Sequence, residues 1–474
     1  MNSLPPMADR STMSHADEAP LAPRGVSSIE EAERWLADRR IEDIECITPD
    51  LAGVPRGKMM PTRKFLSNAR LALPGSIFMQ TISGDYPEET EHFQYQPHDG
   101  DFKLQPDLAT LAAVPWESDP TAQVICDLVD VDGEPVGLSP RNVLKRVLDA
   151  YAADGLEAVI APEIEFYLVK PNPDPDYPLE PPVGRSGRAI SGGQSYSIAG
   201  VNEFDELIDD IYDFSEAQGL EIDTLIHEEG AAQLEINLRH GEPMRLADEV
   251  FLFKRTLREA ALKHDMYATF MAKPIAGQPG SAMHIHQSVI EAETSKNVFS
   301  NPDGSESQRF LNFIAGQQAY LPKSMSLLAP YVNSYRRLTR NISAPVNVHW
   351  GYDNRTTGLR IPISGPEARR VENRLPSSDV NPYLAIATSL ACGLLGIRQK
   401  LEPKPAVATA ANEGDIDLPR GLLDAVALLE DCAPLADLLG HEFVATYCAV
   451  KYGEFETFME VISSWEREFL LLNV

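Results

Sequence analysis

Ala161-Pro162-Glu163-Ile164-Glu165-Phe166-Tyr167-Leu168 reads as a buried strand that carries two carboxylates two residues apart. Positions i and i+2 of a strand point to one face, so Glu163 and Glu165 project side by side among strongly apolar neighbours. Two adjacent buried carboxylates repel, and neither stays ionised cheaply without a cation or a proton between them. Two readings stand at this point: an edge strand with its polar face in water, or a strand that holds a cation. Groups further along the chain able to hold a divalent metal break the tie.

Just upstream, Ser139-Pro140 supplies an N-cap and first-turn pair. Val143, Leu144, Val147, Leu148 and Tyr151 then form one helical face that stops near Gly155. A boundary falls near Asp132-Gly133-Glu134-Pro135. Before it, Ser28 and Glu31 have capping-box spacing, and Ile44 to Thr48, Gly57 to Met60 and Val124 to Val131 read as strands. Residues 1–26 lack periodicity and predict a mobile tail. Downstream, 171–200 is an irregular excursion, and helices are expected near 203–217 and over 246–264. Strands are expected before Glu228, near 267–273 and near 283–289. The outline is α+β: a tail over 1–26, a small N-terminal domain over 27–135 and a large domain over 136–474.

Composition narrows the function. The 474 residues are 43% apolar and 8% aromatic, the profile of a globular protein. Lys and Arg number 41 against 71 Asp and Glu, a formal charge of −30 that argues against a nucleic-acid partner. Five scattered cysteines with no CxxC pair suit a reducing cytosol and offer no thiolate metal site. The apolar run Leu384 to Ile397 is too short to span a bilayer and reads as a buried helix. With no apolar leader, a soluble cytoplasmic protein is expected, without a membrane partner. Residues 84–101 hold Asp85, Glu88, Glu89, Glu91, Asp99 and Asp101 and no Lys or Arg. They form either a solvated acidic loop or an attractor of cations.

Four pieces of the large domain carry chemistry: Glu163/Glu165, the run Glu228 to Glu235, Met283-His284-Ile285-His286, and a tract with Arg355, Arg360, Arg369, Arg370 and Arg374 around Glu372. Carboxylates with one or two imidazoles suit Mg²⁺ or Mn²⁺, and the missing cysteine ligands weigh against structural zinc. Arginines beside such a site suggest an anionic substrate, phosphate above all. Metals and arginines around a transferring phosphoryl group stabilise its spread charge. Each piece alone has a plainer reading, a packed histidine pair or a salt-bridge network; together they carry more weight. No GxxxxGK[ST] is present, so a nucleotide is not held by a Walker loop.

Six pieces in order resemble the motifs of glutamine synthetases. They are Pro162-Glu163-Ile164-Glu165-Phe166, Glu228 to Glu235, Gly280-Ser281-Ala282-Met283-His284-Ile285-His286, Asn333-Ser334-Tyr335-Arg336-Arg337-Leu338, Asn354-Arg355 and Arg369-Arg370-Val371-Glu372-Asn373-Arg374. The resemblance runs from about residue 28 to the C-terminus. It implies an N-terminal β-grasp-like domain and a C-terminal catalytic domain with a curved antiparallel sheet. It also implies a homo-oligomer, a dodecamer of two hexameric rings, in which a neighbour's N-terminal domain completes each site. ATP and two divalent ions, Mg²⁺ or Mn²⁺, are implied as cofactors. One ion would be held by Glu165, Glu228 and Glu235, the other by Glu163, His284 and Glu372. Arg337 and Arg374 would bind the carboxylates of glutamate, with Gly280 contacting it through the backbone. Arg355 would stabilise the γ-phosphoryl in flight, and His286, Ser288, Arg360 and Arg370 would contact the nucleotide.

The departures from the family bear on the nucleophile. Ser343 falls where the family has a glutamate, Pro74-Gly75-Ser76-Ile77 lacks the aspartate of its Asp-Gly-Ser-Ser loop, and Pro279 replaces an asparagine. Of the ammonium-binding acids Asp101 persists, and it is the candidate base. Ammonium needs close anionic acceptors to be desolvated and deprotonated, so a pocket stripped of them favours an amine bearing a chain. The pattern, with the tract His349 to Arg355, is similar to the γ-glutamylpolyamine synthetase branch. The expected activity is an ATP-dependent ligase joining the γ-carboxylate of glutamate to a primary amine such as putrescine or spermidine. Its competitors are an ordinary glutamine synthetase using ammonia and a non-catalytic relative. No tyrosine for adenylylation occurs in Asn412 to Pro419.

Overall fold

The computed structural model describes residues 22–67, 71–87, 99–339, 344–411 and 416–474. Ser343, Glu88, Glu89, Glu91, Asn412 to Asp415 and most of the expected tail lie outside the described residues. Strands β1 (Asp43–Pro49), β2 (Pro55–Pro61), β3 (Ala72–Pro74), β4 (Asp101–Pro106), β5 (Ala112–Ala113) and β6 (Thr121–Val129) form one sheet, ordered β2-β1-β6-β4-β3 with β5 beside β6. Its pairs are antiparallel except β1 with β6. The helix Ile29–Asp38 lays Ala32, Trp35 and Leu36, one helical face, onto Ile44, Cys46 and Val124 of this sheet. Ser28 Oγ caps that helix by accepting from Glu31 N at 3.2 Å. The reciprocal half of the expected capping box differs: the Glu31 carboxylate accepts from Ser27 N at 2.8 Å.

The larger sheet is built from β7 (Leu156–Val169), β8 (Ile222–His227), β9 (Gln233–Leu238), β10 (Tyr267–Thr269), β11 (Met283–Glu291), β12 (Trp350–Tyr352), β13 (Leu359–Ile361) and β14 (Val371–Asn373). Its order is β12-β13-β14-β11-β7-β9-β8, with β10 also on β7, and only β12 with β13 run parallel. The strand expected over 267–273 ends at Thr269, whose Oγ1 accepts from Met271 N at 3.2 Å and turns the chain out of the ladder.

Period-two alternation divides this sheet into a dry face and a wet one. Ile164, Phe166 and Leu168 of β7, Leu234 and Ile236 of β9, and Met283, Ile285 and Val289 of β11 enter one core with the helices Pro140–Ala153, Pro243–Lys263 and Pro382–Gln399. Their alternates, Glu163, Glu165, Glu235, His284 and His286, emerge on the opposite face. The apolar run at 384–397 lies inside Pro382–Gln399, buried through most of its length. It packs against Gln308–Tyr320 through Gly316 and Gly396, where a Cβ on either would meet the facing backbone. Among the described residues no helix is long and apolar enough to cross a membrane.

Candidate functional site

Register, more than sequence proximity, assembles the wet face. Antiparallel pairing puts His284 opposite Glu163, Glu165 opposite Glu235, Glu163 opposite Asn237, and His286 opposite Glu372. Directly opposed residues have Cβ atoms about 4.5–5.5 Å apart, within reach of a shared ion. Glu228 lies just past β8, where its N–H donates to Gln233 O at 2.8 Å and closes a tight turn. Ala232 takes a left-handed φ of 58° there, and a side chain at Gly230 would collide with the Tyr167 hydroxyl. The turn in turn fixes Glu165: its Oε2 accepts from Ala282 N at 2.8 Å and from Gln233 Nε2 at 3.3 Å.

Three sets of donor atoms each fall within 4.8 Å: Glu165–Glu228–Glu235, Glu163–Glu235–His284 and Glu163–His286–Glu372. The first is the set expected for one ion. Of the second expected set, Glu163 groups with His284 and Glu235 and also with His286 and Glu372, so both imidazoles stand at the Glu163 carboxylate. His286 Nε2 lies 2.8 Å from Glu163 Oε1, and His284 Nδ1 lies 3.3 Å from Glu163 Oε2 and 3.8 Å from Glu372. The strand pairing explains this, since it makes His286 the cross-strand partner of Glu372. Hard oxygen donors with one imidazole fit a divalent ion of the Mg²⁺ or Mn²⁺ kind.

The electrostatics give such an ion a reason to bind. Burial, then the charge of Glu228, raises Glu165 to about 8. Burial, then Glu163 and its neighbours, raises Glu235 to about 9, and burial raises Glu228. Burial works against ionising Glu163 as well, but His284 and His286 hold its carboxyl far below the usual range. Glu372 is likewise opposed by burial and brought to about 2 by Arg374 and the histidines. Burial and Arg374 push His284 down to about 4, leaving a neutral imidazole ready to ligate. A cation among the three raised carboxylates would remove the cost of ionising them together.

The arginines flank these groups. Arg337, 3% exposed, is fixed by the carbonyls of Leu375 and Arg374, each at 2.9 Å. Arg374 Nη1 reaches Glu372 at 2.5 Å and leaves its buried Nε without a partner. A Cβ on Gly280 would sit 2.6 Å from Arg337 Cγ and 2.7 Å from Ala272 O, so only glycine fits there. Arg355 is exposed at the cavity wall. Arg369 is spent on the 299–305 loop, where it donates to Phe299 O at 3.3 Å and Ser305 O at 3.1 Å.

Two cavities meet at Glu163 and Asn237. One, of about 390 Å³, is walled by the carboxylates, His284, Gly280, Arg337, Arg355 and Arg374. The other, of about 490 Å³, is walled by His286, Ser288 and Arg370. Arg360, expected at the nucleotide, lines the first cavity, where it donates to Glu372 at 2.7 Å and Asp353 at 2.6 Å. Asp101 sits exposed on β4, paired with Pro74, and lines neither.

Residues 137–470 match the family model described as "Glutamine synthetase, catalytic domain". The chain belongs to the glutamine synthetase family. It is an ATP-dependent carbon–nitrogen ligase with the glutamine synthetase fold. A glutamate–isopropylamine ligase of Pseudomonas sp is 32% identical, covering 91% of this chain and 95% of the relative. The γ-glutamylputrescine synthetase PuuA of Escherichia coli strain K12 is 33% identical, covering 95% and 96%. The solved structure titled "GmaS/ADP complex-Conformation 1" superposes with a TM-score of 0.79 at 27% identity, covering 94% of this chain and all of that one.

Within this glutamine synthetase site, Tyr196, Ile226 and Asn237 of the wall were not foreseen from sequence, whereas Glu229 and Gln233 fall inside the run Glu228 to Glu235. Asn237 carries a readable signal, falling two residues after Glu235 on one strand face. Glu229 is exposed beside Glu228. Tyr196 had no signal, since it stands at a φ of 61° in the irregular 171–200 excursion, its N–H donating to His227 O at 2.7 Å.

Proposed function

We propose that this chain ligates the γ-carboxylate of glutamate to a primary amine of the polyamine class through γ-glutamyl phosphate. The observation that carries the proposal is the meeting of two cavities at Glu163, one arginine-walled and one fit for a nucleotide. Arg337 and Arg374 hold the α- and γ-carboxylates of glutamate, and Gly280 lets its backbone approach. Ser288, His286 and Arg370 bound the nucleotide side, so the terminal phosphate of ATP points toward Glu163. The γ-carboxylate oxygen attacks that phosphorus, ADP leaves, and Arg355 meets the charge on the phosphoryl oxygens. Two divalent ions, Mg²⁺ or Mn²⁺, on the Glu165–Glu228–Glu235 set and around Glu163, His284 and Glu372, would neutralise phosphate charge when bound. The amine nitrogen then attacks the γ-carbonyl carbon, the carbon–oxygen bond to phosphate breaks, and the amine proton passes to a base.

The amine class is supported by what walls the nucleophile's side. Pro279 supplies no side-chain acceptor, and Tyr196 offers an aromatic face beside the exposed Glu229, a pairing that suits an alkylammonium. PuuA and the isopropylamine ligase are relatives named for chain-bearing amines. Asp101 remains the proposed base, delivered by the domain over 27–135 of another copy in a dodecamer of two hexameric rings in the cytoplasm. The test is steady-state phosphate release with putrescine, spermidine, isopropylamine and ammonium. A higher kcat/KM for putrescine or spermidine is expected; ammonium preferred by kcat/KM overturns the amine assignment and leaves an ordinary glutamine synthetase.

A further inference from the structure

A third cavity, of about 410 Å³, shares no lining residue with the two that meet at Glu163. Its size falls within the roughly 300–1,000 Å³ usual for small-molecule sites. It lies on the seam between the sheets, with Gly53, Val54 and Ile82 on one side and the helix Pro243–Lys263 on the other. Two cations face one ring there: Lys254 Nζ is 5.3 Å and Arg258 Cζ 5.1 Å from the centroid of Phe270. Lys254 is 8% exposed and donates to the carbonyls of Ser378 at 2.6 Å and Val380 at 2.8 Å; among the described residues it makes no ion pair, although the charge of Asp379 favours its ammonium. Burial and the charge of Arg258 push its ammonium down to about 7.

Arg258, an exposed residue at the rim of the cavity, makes no ion pair or hydrogen bond among the described residues. Asp379, the single carboxylate in the wall, already accepts from Ser334 Oγ at 2.8 Å and Ser377 Oγ at 2.5 Å. A chain of charge −30 thus sets two cations and one engaged acid on a cavity whose wall combines Val54, Phe251, Phe270 and Pro382 with Thr269, Tyr331 and Asn333. We propose that this cavity binds a small organic monoanion, with its carboxylate on the Arg258 guanidinium and an apolar or aromatic body against Phe270.

The wall is hydrogen-bonded to the reaction site. Ser378, whose carbonyl Lys254 holds, donates from Oγ to the Glu165 carbonyl and from its N–H to Ser281 O at 3.0 Å. Asn333 exchanges bonds of 2.9 and 3.0 Å with the Lys273 backbone, and Lys273 Nζ donates to Gln278 O, two residues before Gly280. An anion that draws on Lys254 therefore bears on the loop that carries Gly280, and occupancy changes KM for glutamate.

The test is calorimetric titration of the full-length protein with benzoate and pentanoate, using benzamide and benzylamine as neutral and cationic counterparts. The binding readout does not depend on the reaction proposed above. Expected is one saturable carboxylate site per chain, with both counterparts weaker by about tenfold or more, equivalent to about 1.4 kcal/mol. Arg258→Ala should lose that binding while keeping the wild-type kcat, Arg258→Lys should keep part of it, and Arg337→Ala should leave it intact. Benzoate should also shift the KM for glutamate saturably in the wild type and not in Arg258→Ala. Absence of binding by both carboxylates, or binding lost in Arg337→Ala and kept in Arg258→Ala, overturns the proposal.

Discussion

Glu165 illustrates how much a single side chain's surroundings decide. Its Oε2 is held by Ala282 N and Gln233 Nε2, while Oε1 lies 3.9 Å from His284 Nε2. Glu165→Ala should cut kcat by more than about a hundredfold, because it removes a ligand from a shared ion. Melting temperature should hold, since the change deletes a buried acid crowded by other acids and no core packing. Enzyme assays beside a thermal melt check both. The raised carboxylates also fix a pH dependence. Glu165 at about 8 and Glu235 at about 9 keep protons well above the ordinary carboxylate range, so the metal-free fold binds more protons than the unfolded chain. Their contribution to stability is present in acid and is lost as pH rises through those two values. Mn²⁺ must displace the protons, so its affinity and its stabilising effect should grow over the same window. Calorimetry in buffers of different ionisation enthalpy would register the released protons; pH-independent affinity would contradict the coupling. The paired glutamates were legible because strand alternation is strict. The placing of His286 beside Glu372 was not, because a cross-strand partner depends on register that one strand's sequence does not reveal.

Elements were legible where a period ran long enough. β7 and the helices Pro140–Ala153, Asp205–Ala217 and Pro382–Gln399 fall close to their expected spans. The helix expected from 246 begins at Pro243, because its cap is Glu242, a residue outside the usual capping set, which accepts from Met244 N at 2.9 Å and Arg245 N at 2.7 Å. The role of the loop between β10 and β11 emerges only where it crosses Arg337. Gly280→Ala should raise KM for glutamate by about tenfold or more, because the new methyl displaces either Arg337 or the Ala272 backbone. Glutamate titration against the unchanged ATP dependence isolates the effect, and an unaltered KM would separate Gly280 from the substrate.

Whole-molecule architecture rests on charge buried at the seam between the sheets. Arg141 joins Asp107 at 2.6 Å and Asp127 at 2.5 Å, near the smaller sheet, to Asp248 at 3.0 Å on the helix Pro243–Lys263. Nothing in the sequence marked that arginine, because its partners are up to 107 positions away. At the other extreme, Val461, Ile462, Trp465, Phe469, Leu471 and Leu472 leave an apolar surface exposed at the C-terminus. Patches of that kind mark interaction sites, and the proposed assembly would supply a second copy of this chain as the partner. Removing residues 461–474 should lower the mass of the assembly in sedimentation while the chain stays folded; an unchanged mass would exclude the patch from assembly. Asp101 lies on the outside of its own chain, away from the cavity it is proposed to serve. If its carboxylate acts in another copy's site, two dead enzymes can rescue each other. Asp101→Ala and Glu165→Ala chains, co-assembled in equal amounts, should rebuild about one intact site in four by random pairing of neighbours. A strain carrying both alleles would then grow where neither alone suffices, the genetic mark of a shared active site.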